Sequence, residues 1–239
     1  MEYYGLGGNT LYVDLTKGEI RKEPIDLKLT KKFIGGWGAG LVYAANLFKP
    51  RDDPFAPENP LIFSVGTLVG TNVPAAARMT AIFKSPLPSS DDGKHMVTYG
   101  SLSCRRFGWN LKGAGIDHIV ITGKSEKPVY LKIDDDNIEL CPADKLWGKK
   151  DSYDTADYFE EKIKGSGVCA IGSGGENRVY YAMALVDKVG TVYCVCPKTG
   201  EQRPMAYGGF EKDRMALKYI CPVKAYGQRA QGAMSVGMR

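Results

Sequence analysis

The sequence predicts an α+β fold with mixed or antiparallel sheets, followed by a small irregular C-terminal appendage. Three observations lead there. Strand patterns outnumber helical ones, several strands are joined by hairpin-length turns, and the composition changes near Gly190. A regular strand–helix alternation, the mark of a parallel sheet, is missing.

The elements follow in order. Leu11 to Leu15 alternates apolar and other residues, Thr16-Lys17-Gly18 makes a turn, and Glu19 to Ile25 resumes the alternation, which reads as a hairpin. Leu27 to Ile34 suits a short helix stopped by Gly35-Gly36. Gly35 to Gly40 then reads as a glycine-rich turn before a helix over Leu41 to Phe48. A proline-rich loop, Pro50 to Pro60, leads into Leu61 to Val65, a short and wholly apolar or small run that suits a buried strand. Arg78 to Lys84 is a further strand, stopped by Ser85-Pro86. His118 to Thr122, Val129 to Ile133 and Ile138 to Cys141 add three more, the last two joined by Asp134 to Asn137. In Asp151 to Lys164, Tyr153, Ala156, Phe159 and Ile163 fall at intervals of three and four, one helical stripe. Val168 to Ile171 and Val179 to Val186 complete the strands.

The 239 residues suffice for one large domain or two small ones, and 44% hydrophobic with 25% charged residues is ordinary for a globular chain. A net charge of +5, scattered along the chain, is too mild to mark a nucleic-acid binder. No apolar run reaches the roughly 20 residues of a membrane helix. The first residues lack a basic start and an apolar stretch, so a cytoplasmic protein without a secretory signal is expected.

Three glycine-rich elements are candidate ligand sites. Gly35 to Gly40 permits close backbone approach, though a tight helix–helix turn would look the same. Gly66 to Ala77 is a loop of mostly small residues after a buried strand, and it delivers Arg78, whose guanidinium offers a bidentate fork to phosphate or carboxylate; a surface arginine by an ordinary loop is the rival. Ile171-Gly172-Ser173-Gly174-Gly175-Glu176-Asn177 follows a strand but lacks the Gly-Lys-Ser/Thr of a phosphate loop, so a structural turn competes. The two histidines, His95 and His118, lie in no nucleophile or metal-protease context, and His118 reads as structural. Asp134 to Asp136 suits an exposed loop better than a cation site.

Of six cysteines, Cys104, Cys141 and Cys169 are isolated and read as core or surface thiols. Cys194-Val195-Cys196-Pro197 and Cys221-Pro222 resemble zinc-ribbon knuckles. Structural zinc takes four ligands, and Cys194, Cys196 and Cys221 supply three.

Several segments recur in a specific order. They are Val13 to Gly18, the glycines at 35 to 40, Phe55 to Ile62, Gly66 to Arg78 and Lys84 to Leu87. Leu111 to Asp117, Gly123 to Tyr130, Trp147 to Lys150 and Ile171 to Asn177 follow. Together they resemble the N-terminal domain of the aldehyde ferredoxin oxidoreductase family, from about Gly7 to Gly190. The resemblance implies two sheets forming a base for a bis-pterin tungsten (or molybdenum) cofactor, and oxidation of aldehydes with ferredoxin as acceptor. A related branch serves in benzoyl-coenzyme A reduction. Trp37 stands where aldehyde-oxidising members carry arginine, which leans toward the other branches.

Arg78 matches the family arginine that contacts the pterin. Where the family has an asparagine and glycines, this chain has Leu102-Ser103-Cys104-Arg105-Arg106, so Ser103 and Cys104 are the candidate contacts there, and two arginines are placed to meet phosphates. The cysteine ligands of the family's [4Fe–4S] cluster belong to its later part and have no counterpart here. An Ala-Gly-Arg-Gly type segment expected after Asp187 is replaced by Val192-Tyr193-Cys194. The expectation is a partial cofactor site over 7–190, inactive alone, whose partner is a missing catalytic domain or subunit. The tail, 191–239, resembles the cysteine-containing part of some insertion-sequence transposases. Its alternative role is a zinc-knuckle module offering Lys198, Arg203, Lys212, Arg214 and Lys218 to nucleic acid, although those cations equally suit a solvated surface.

Overall fold

The structure, a computed structural model, describes residues 5–49, 53–71, 73–74, 76–88, 95–103, 106–177, 179, 182, 184–188, 190–191, 193–195 and 202–204. The chain divides into two compact units, one of residues 1–99 with 108–144 and one of residues 100–107 with 145–239.

The first unit is built on the hairpin β1 (Asn9–Asp14) and β2 (Glu19–Pro24), then α1 (Leu27–Phe33) and α2 (Gly36–Leu47). Next come β3 (Leu61–Val65), β4 (Arg78–Pro88), β5 (His95–Ser103), α3 (Phe107–Gly113) and β6 (Ile116–Thr122), with the hairpin β7 (Val129–Asp134) and β8 (Asn137–Pro142); residues 100–103 of β5 and Phe107 of α3 fall in the second unit. Six strands form one mixed sheet in the order β2-β1-β6-β3-β4-β5. β6 runs parallel to β1 and antiparallel to β3. It is central and buried from Ile116 through Val120, with Asp117 and His118 buried among its apolar residues.

Register separates the two faces of this sheet. Leu11, Ile119, Phe63 and Ala81 lie side by side on one face. Tyr12, Val120, Ile62 and Ile82 lie on the other, where Ala44 of α2 closes a cluster with Ile62, Ile82 and Val120. The next row on that helix-covered face is polar: Thr10, His118, Ser64 and Thr80, all buried. Ser64 Oγ is 2.6 Å from His118 Nδ1, and Tyr43 Oη of α2 is 2.9 Å from Thr10 Oγ1. The Tyr43 and His118 rings stack at a tilt, 5.1 Å between centroids. The row is thereby hydrogen-bonded within itself and to the helix, as buried polar groups require.

The glycine-rich stretch expected to be a turn is helical from Gly36 onward, and only Gly35 stays outside, with φ +71°. Glycine costs a helix about 1 kcal/mol relative to alanine. The offset is close packing. A Cβ at Gly38 would sit 2.6 Å from the Phe33 carbonyl oxygen, and one at Gly40 would sit 2.4 Å from Ile82 Cδ1 and 2.8 Å from Ser64 Oγ. α1 is capped by Asp26, which accepts from Lys28 and Leu29 N–H at 2.8 and 3.2 Å, and it is closed by Ile34 in the left-handed conformation, φ +58°, ahead of the glycines expected to stop it. Other differences are of extent. β4 runs on through Ser85-Pro86 to Pro88, and β5 and α3 were not anticipated.

The second unit holds α4 (Ser152–Lys162), β9 (Cys169–Ile171), α5 (Ser173–Glu176), β10 (Ala184–Val186), β11 (Gly190–Thr191), β12 (Tyr193–Val195) and β13 (Gln202–Pro204). β9, β10 and β11 form an antiparallel sheet. Asp151 caps α4 through Tyr153 and Asp154 N–H at 2.7 and 2.8 Å. The strand expected over 179–186 is confined to Ala184–Val186, because Val179 and Ala182 N–H close turns onto Gly174 and Val179 carbonyls. In the tail, β12 and β13 pair antiparallel, so the described part of the appendage carries a short hairpin.

Two predictions follow from the helix–sheet contact. Gly40→Ala should lower stability by about 1–3 kcal/mol, the cost of overpacking, in urea unfolding, whereas Gly113→Ala, where a Cβ meets nothing within 4 Å, should leave stability unchanged or slightly raised. Burial drives His118 from its ordinary 6.5 down to about 4, with Lys112 lowering it further and Asp117 opposing. The unfolded chain therefore binds a proton that the fold refuses between about 6.5 and 4. Its stabilising contribution should be complete above pH 6.5 and decline as pH falls toward 4, by on the order of 3 kcal/mol in total. Urea midpoints at pH 7 and pH 5 should differ more in the parent than in His118→Gln.

Candidate functional site

The loop that carries Arg78 grows out of the β3–β4 hairpin. Val65 pairs with Met79, so Gly66 and Arg78 occupy facing positions at the mouth of the loop. Gly66 bridges to Gly35, just before α2, and a Cβ at Gly36 would lie 3.3 Å from Gly66 Cα. On its other side Gly66 is open: among the described residues a Cβ there would meet only Val69 Cγ2, at 3.9 Å. Val69 N–H donates to Gly66 O at 3.1 Å and Thr71 N–H to Leu68 O at 3.2 Å, so the loop folds back on itself.

Around the loop lie apolar side chains in water: Leu68 (56% exposed), Val73 (44%) and Trp109 (50%). Trp109 Nε1 donates to the Ala76 carbonyl at 3.4 Å, which ties the ring to the loop. Arg78, half-buried, follows directly as the first residue of β4. The result is an apolar, small-residue surface with one guanidinium at its edge, suited to a flat ligand that carries an anionic group.

The loop is steadied by a buried ion pair that the sequence reading missed. Lys112 Nζ contacts Asp117 Oδ1, with the two side chains 7% and 3% exposed. Asp117 also accepts from Gly7 and Gly8 N–H at 3.1 and 2.6 Å, and Lys112 donates to the Gly5 carbonyl at 2.9 Å. The strap from Gly5 to Gly8 is thus clasped to the start of β6. Gly5 crowds the loop, since a Cβ on it would fall 2.5 Å from Thr67 O, and a Cβ on Gly70 would fall 3.2 Å from Lys112 Cβ. The signal was present as glycines at 5, 7, 8, 113 and 115 around one lysine and one aspartate, but nothing in their spacing couples positions over a hundred residues apart.

The remaining candidates lie elsewhere. Ser103 ends β5, and Cys104 and Arg105 lie outside the described residues. Arg106 does not stand open for a phosphate: its Nη1 is 2.6 Å from Glu160 Oε1. The turn Gly172 to Gly175 belongs to the second unit, whereas Arg78 belongs to the first. Gly175 is required by its own chain, because a Cβ there would lie 2.8 Å from Ile171 Cβ. Glu176 Oε1 accepts from Gly148 N–H at 3.1 Å, a structural use of that turn. Cys194 lies in β12, and Cys196 and Cys221 lie outside the described residues, as do Lys198, Lys212, Arg214 and Lys218. Cys141 and Cys169 are half-buried free thiols. Among the described residues, no group of three His, Cys, Asp or Glu side chains is placed to hold a metal ion, and no helix is long and apolar enough to cross a membrane. Asp136, in the β7–β8 loop, pairs with Lys22 at 2.6 Å, and that pairing pulls its carboxyl below the ordinary value.

Comparison with known proteins points the same way. Residues 10–200 match the family described as aldehyde ferredoxin oxidoreductase, N-terminal domain. The tungsten-containing aldehyde ferredoxin oxidoreductase of Pyrococcus abyssi is 39% identical over 184 residues, 76% of this chain and 29% of the relative. That of Pyrococcus furiosus is 38% identical over 188 residues, 77% of this chain and 29% of the relative. The aliphatic sulfonate oxidoreductase, WOR-like subunit, of Pyrococcus furiosus is 33% identical over 201 residues, 76% of this chain and 30% of the relative. Among solved structures, the active site complex BamBC of benzoyl coenzyme A reductase, in complex with 1,5 dienoyl-CoA, superposes with a TM-score of 0.70 at 34% identity, covering 77% of this chain and 27% of that one. The chain spans under a third of the length of these relatives.

The clasp beneath the loop yields a test. Lys112→Met should destabilise the chain by about 3–5 kcal/mol, the scale for stripping one partner from a buried pair. Adding Asp117→Asn should recover part of the loss, because no uncompensated charge then remains buried. Denaturant unfolding of the two variants beside the parent reads both effects.

Proposed function

This chain belongs to the aldehyde ferredoxin oxidoreductase family through that family's N-terminal domain, and from this premise we propose that it forms part of the base that holds a bis-pterin tungsten or molybdenum cofactor. One observation carries the reading. The loop Gly66–Ala77 presents an open glycine, an apolar margin and Arg78 at one hairpin mouth. The residues fit such a group: a planar ring needs a surface free of projecting side chains, and its phosphates need a fixed cation. Arg78 would pair with a phosphate; Ser103 and Cys104 are proposed separately as polar contacts at the end of β5. When bound, the group supplies the oxidation of an aldehyde to an acid, with ferredoxin as electron acceptor. This chain's own part is to bind and orient.

Residues 7–190 would carry that role, with 191–239 as an appendage. Turnover would belong to the assembled protein, whose remaining part in the relatives is longer than this chain. The BamBC likeness and Trp37, exposed in the first turn of α2, keep the benzoyl-coenzyme A branch within the substrate range proposed. Zinc on Cys194, Cys196 and Cys221 is a separate proposal for the tail.

The experiment is binding of the phosphate-bearing pterin, followed by its intrinsic fluorescence, with metal analysis of the purified polypeptide. The parent should bind it, and Arg78→Ala should weaken binding by roughly 1.5–3 kcal/mol, the scale of a charge-assisted hydrogen bond. Equal binding by parent and variant would leave Arg78 an ordinary surface residue. Zinc alone in the metal analysis, with no pterin binding, would remove the cofactor reading.

A further inference from the structure

Three stretches of the second unit meet at one carboxylate. Asp187 Oδ2 accepts from the backbone N–H of Arg106 and of Phe107, each at 2.8 Å. Its Oδ1 accepts from Val168 N–H at 2.9 Å, and its own N–H returns to the Val168 carbonyl at 2.9 Å. The meeting is tight. A Cβ at Gly167 would stand 2.3 Å from Phe107 Cα and 2.4 Å from Phe107 N, so glycine is required for the two backbones to cross.

The geometry at residue 187 is also costly. Asp187 and Lys188 are consecutive non-glycine residues in the left-handed region, with φ +49° and +58°, a conformation that persists only where surrounding contacts hold it. Those contacts are on hand. The carboxylate carries three N–H donors, and the Lys188 ammonium pairs with Asp157 of α4. On the same helix Glu160 receives the Arg106 guanidinium at 2.6 Å. A double left-handed step is ordinary in the hairpin turn between β10 and β11; a carboxylate reaching eighty residues back is not.

What this brace holds is the backbone at Arg106 and Phe107, three and four residues beyond Ser103. We infer that Asp187 is a positioning residue for the proposed cofactor contact at the end of β5: it sets the backbone of Arg106 and Phe107, the first described residues after Ser103. The inference rests on the reading that Ser103 faces the cofactor. It adds a residue that touches no ligand itself. Three donors on one acceptor group give the segment a single position, and a ligand that needs Ser103 in place then avoids the cost of ordering it.

The test compares the full chain with Asp187→Ala and Asp187→Asn by backbone amide exchange and by binding of the phosphate-bearing pterin. Asp187→Ala should speed exchange at Arg106, Phe107 and Val168 at least tenfold, leave the amides of β6 unchanged, and weaken pterin binding at least tenfold. Asp187→Asn, which keeps one acceptor oxygen, should fall between. Arg78→Ala should lose binding with no change in those three amides, which separates contact from positioning. Unchanged exchange at Arg106 and Phe107, or faster exchange with undiminished binding, would overturn the inference. Should Asp187→Ala not fold, Asp187→Asn carries the same comparisons. If the parent itself binds no pterin, the functional reading falls, and the exchange rates alone decide whether Asp187 positions this segment.

Discussion

The first unit depends on the closeness of α2 to β3. Gly35 bridges Gly66, Gly36 lies against it, and Gly40 rests on Ser64 and Ile82. A helix with ordinary side chains on that edge would stand off the sheet by the thickness of a methyl group or more. The buried polar row of Thr10, Ser64, Thr80 and His118 would then lose its cover, and the mouth of the β3–β4 loop would lose the backbone that flanks it. The cost of glycine in a helix is offset here by contact density, since interiors pack without room to spare.

That contact also explains a polar band in the middle of a sheet. Buried hydroxyls and an imidazole are tolerated when each finds a partner, and Ser64 with His118, and Thr10 with Tyr43, do so. The same rule governs the charged clasp. Lys112 and Asp117 are both nearly inaccessible, and each has further bonds to the strap at Gly5 to Gly8. A buried pair with its remaining hydrogen-bonding capacity used is an anchor with one geometry. It stabilises less than its Coulomb attraction suggests, but it specifies position.

Each unit has one fixed support of its own. In the first, Arg78 is placed by the register of β3 and β4, and the loop beside it by the clasp. In the second, Asp187 gathers residues 106–107 and 167–168. Membership of the family rests on three-quarters of this chain and under a third of its relatives.

Much of this was legible in the sequence. The hairpins β1–β2 and β7–β8, strands β3 and β6, and helices α1 and α4 are local: alternation, turn residues and the helical stripe of α4 specify them within a few positions. Arg78 after a loop of small residues was legible for the same reason, and the order of the family's segments identified the domain. The glycines at 36 to 40 were misread, because glycine signals a turn unless a partner surface compensates for it, and that surface, Ser64 and Ile82, lies a strand away. β5 and α3 were missed because their patterns are weak without neighbours. The clasp of Lys112 and Asp117 on residues 5 to 8, the neutral His118 and the brace at Asp187 belong to tertiary structure alone. Each joins positions some fifty to over a hundred residues apart, and only the folded chain removes the water that makes such pairings matter.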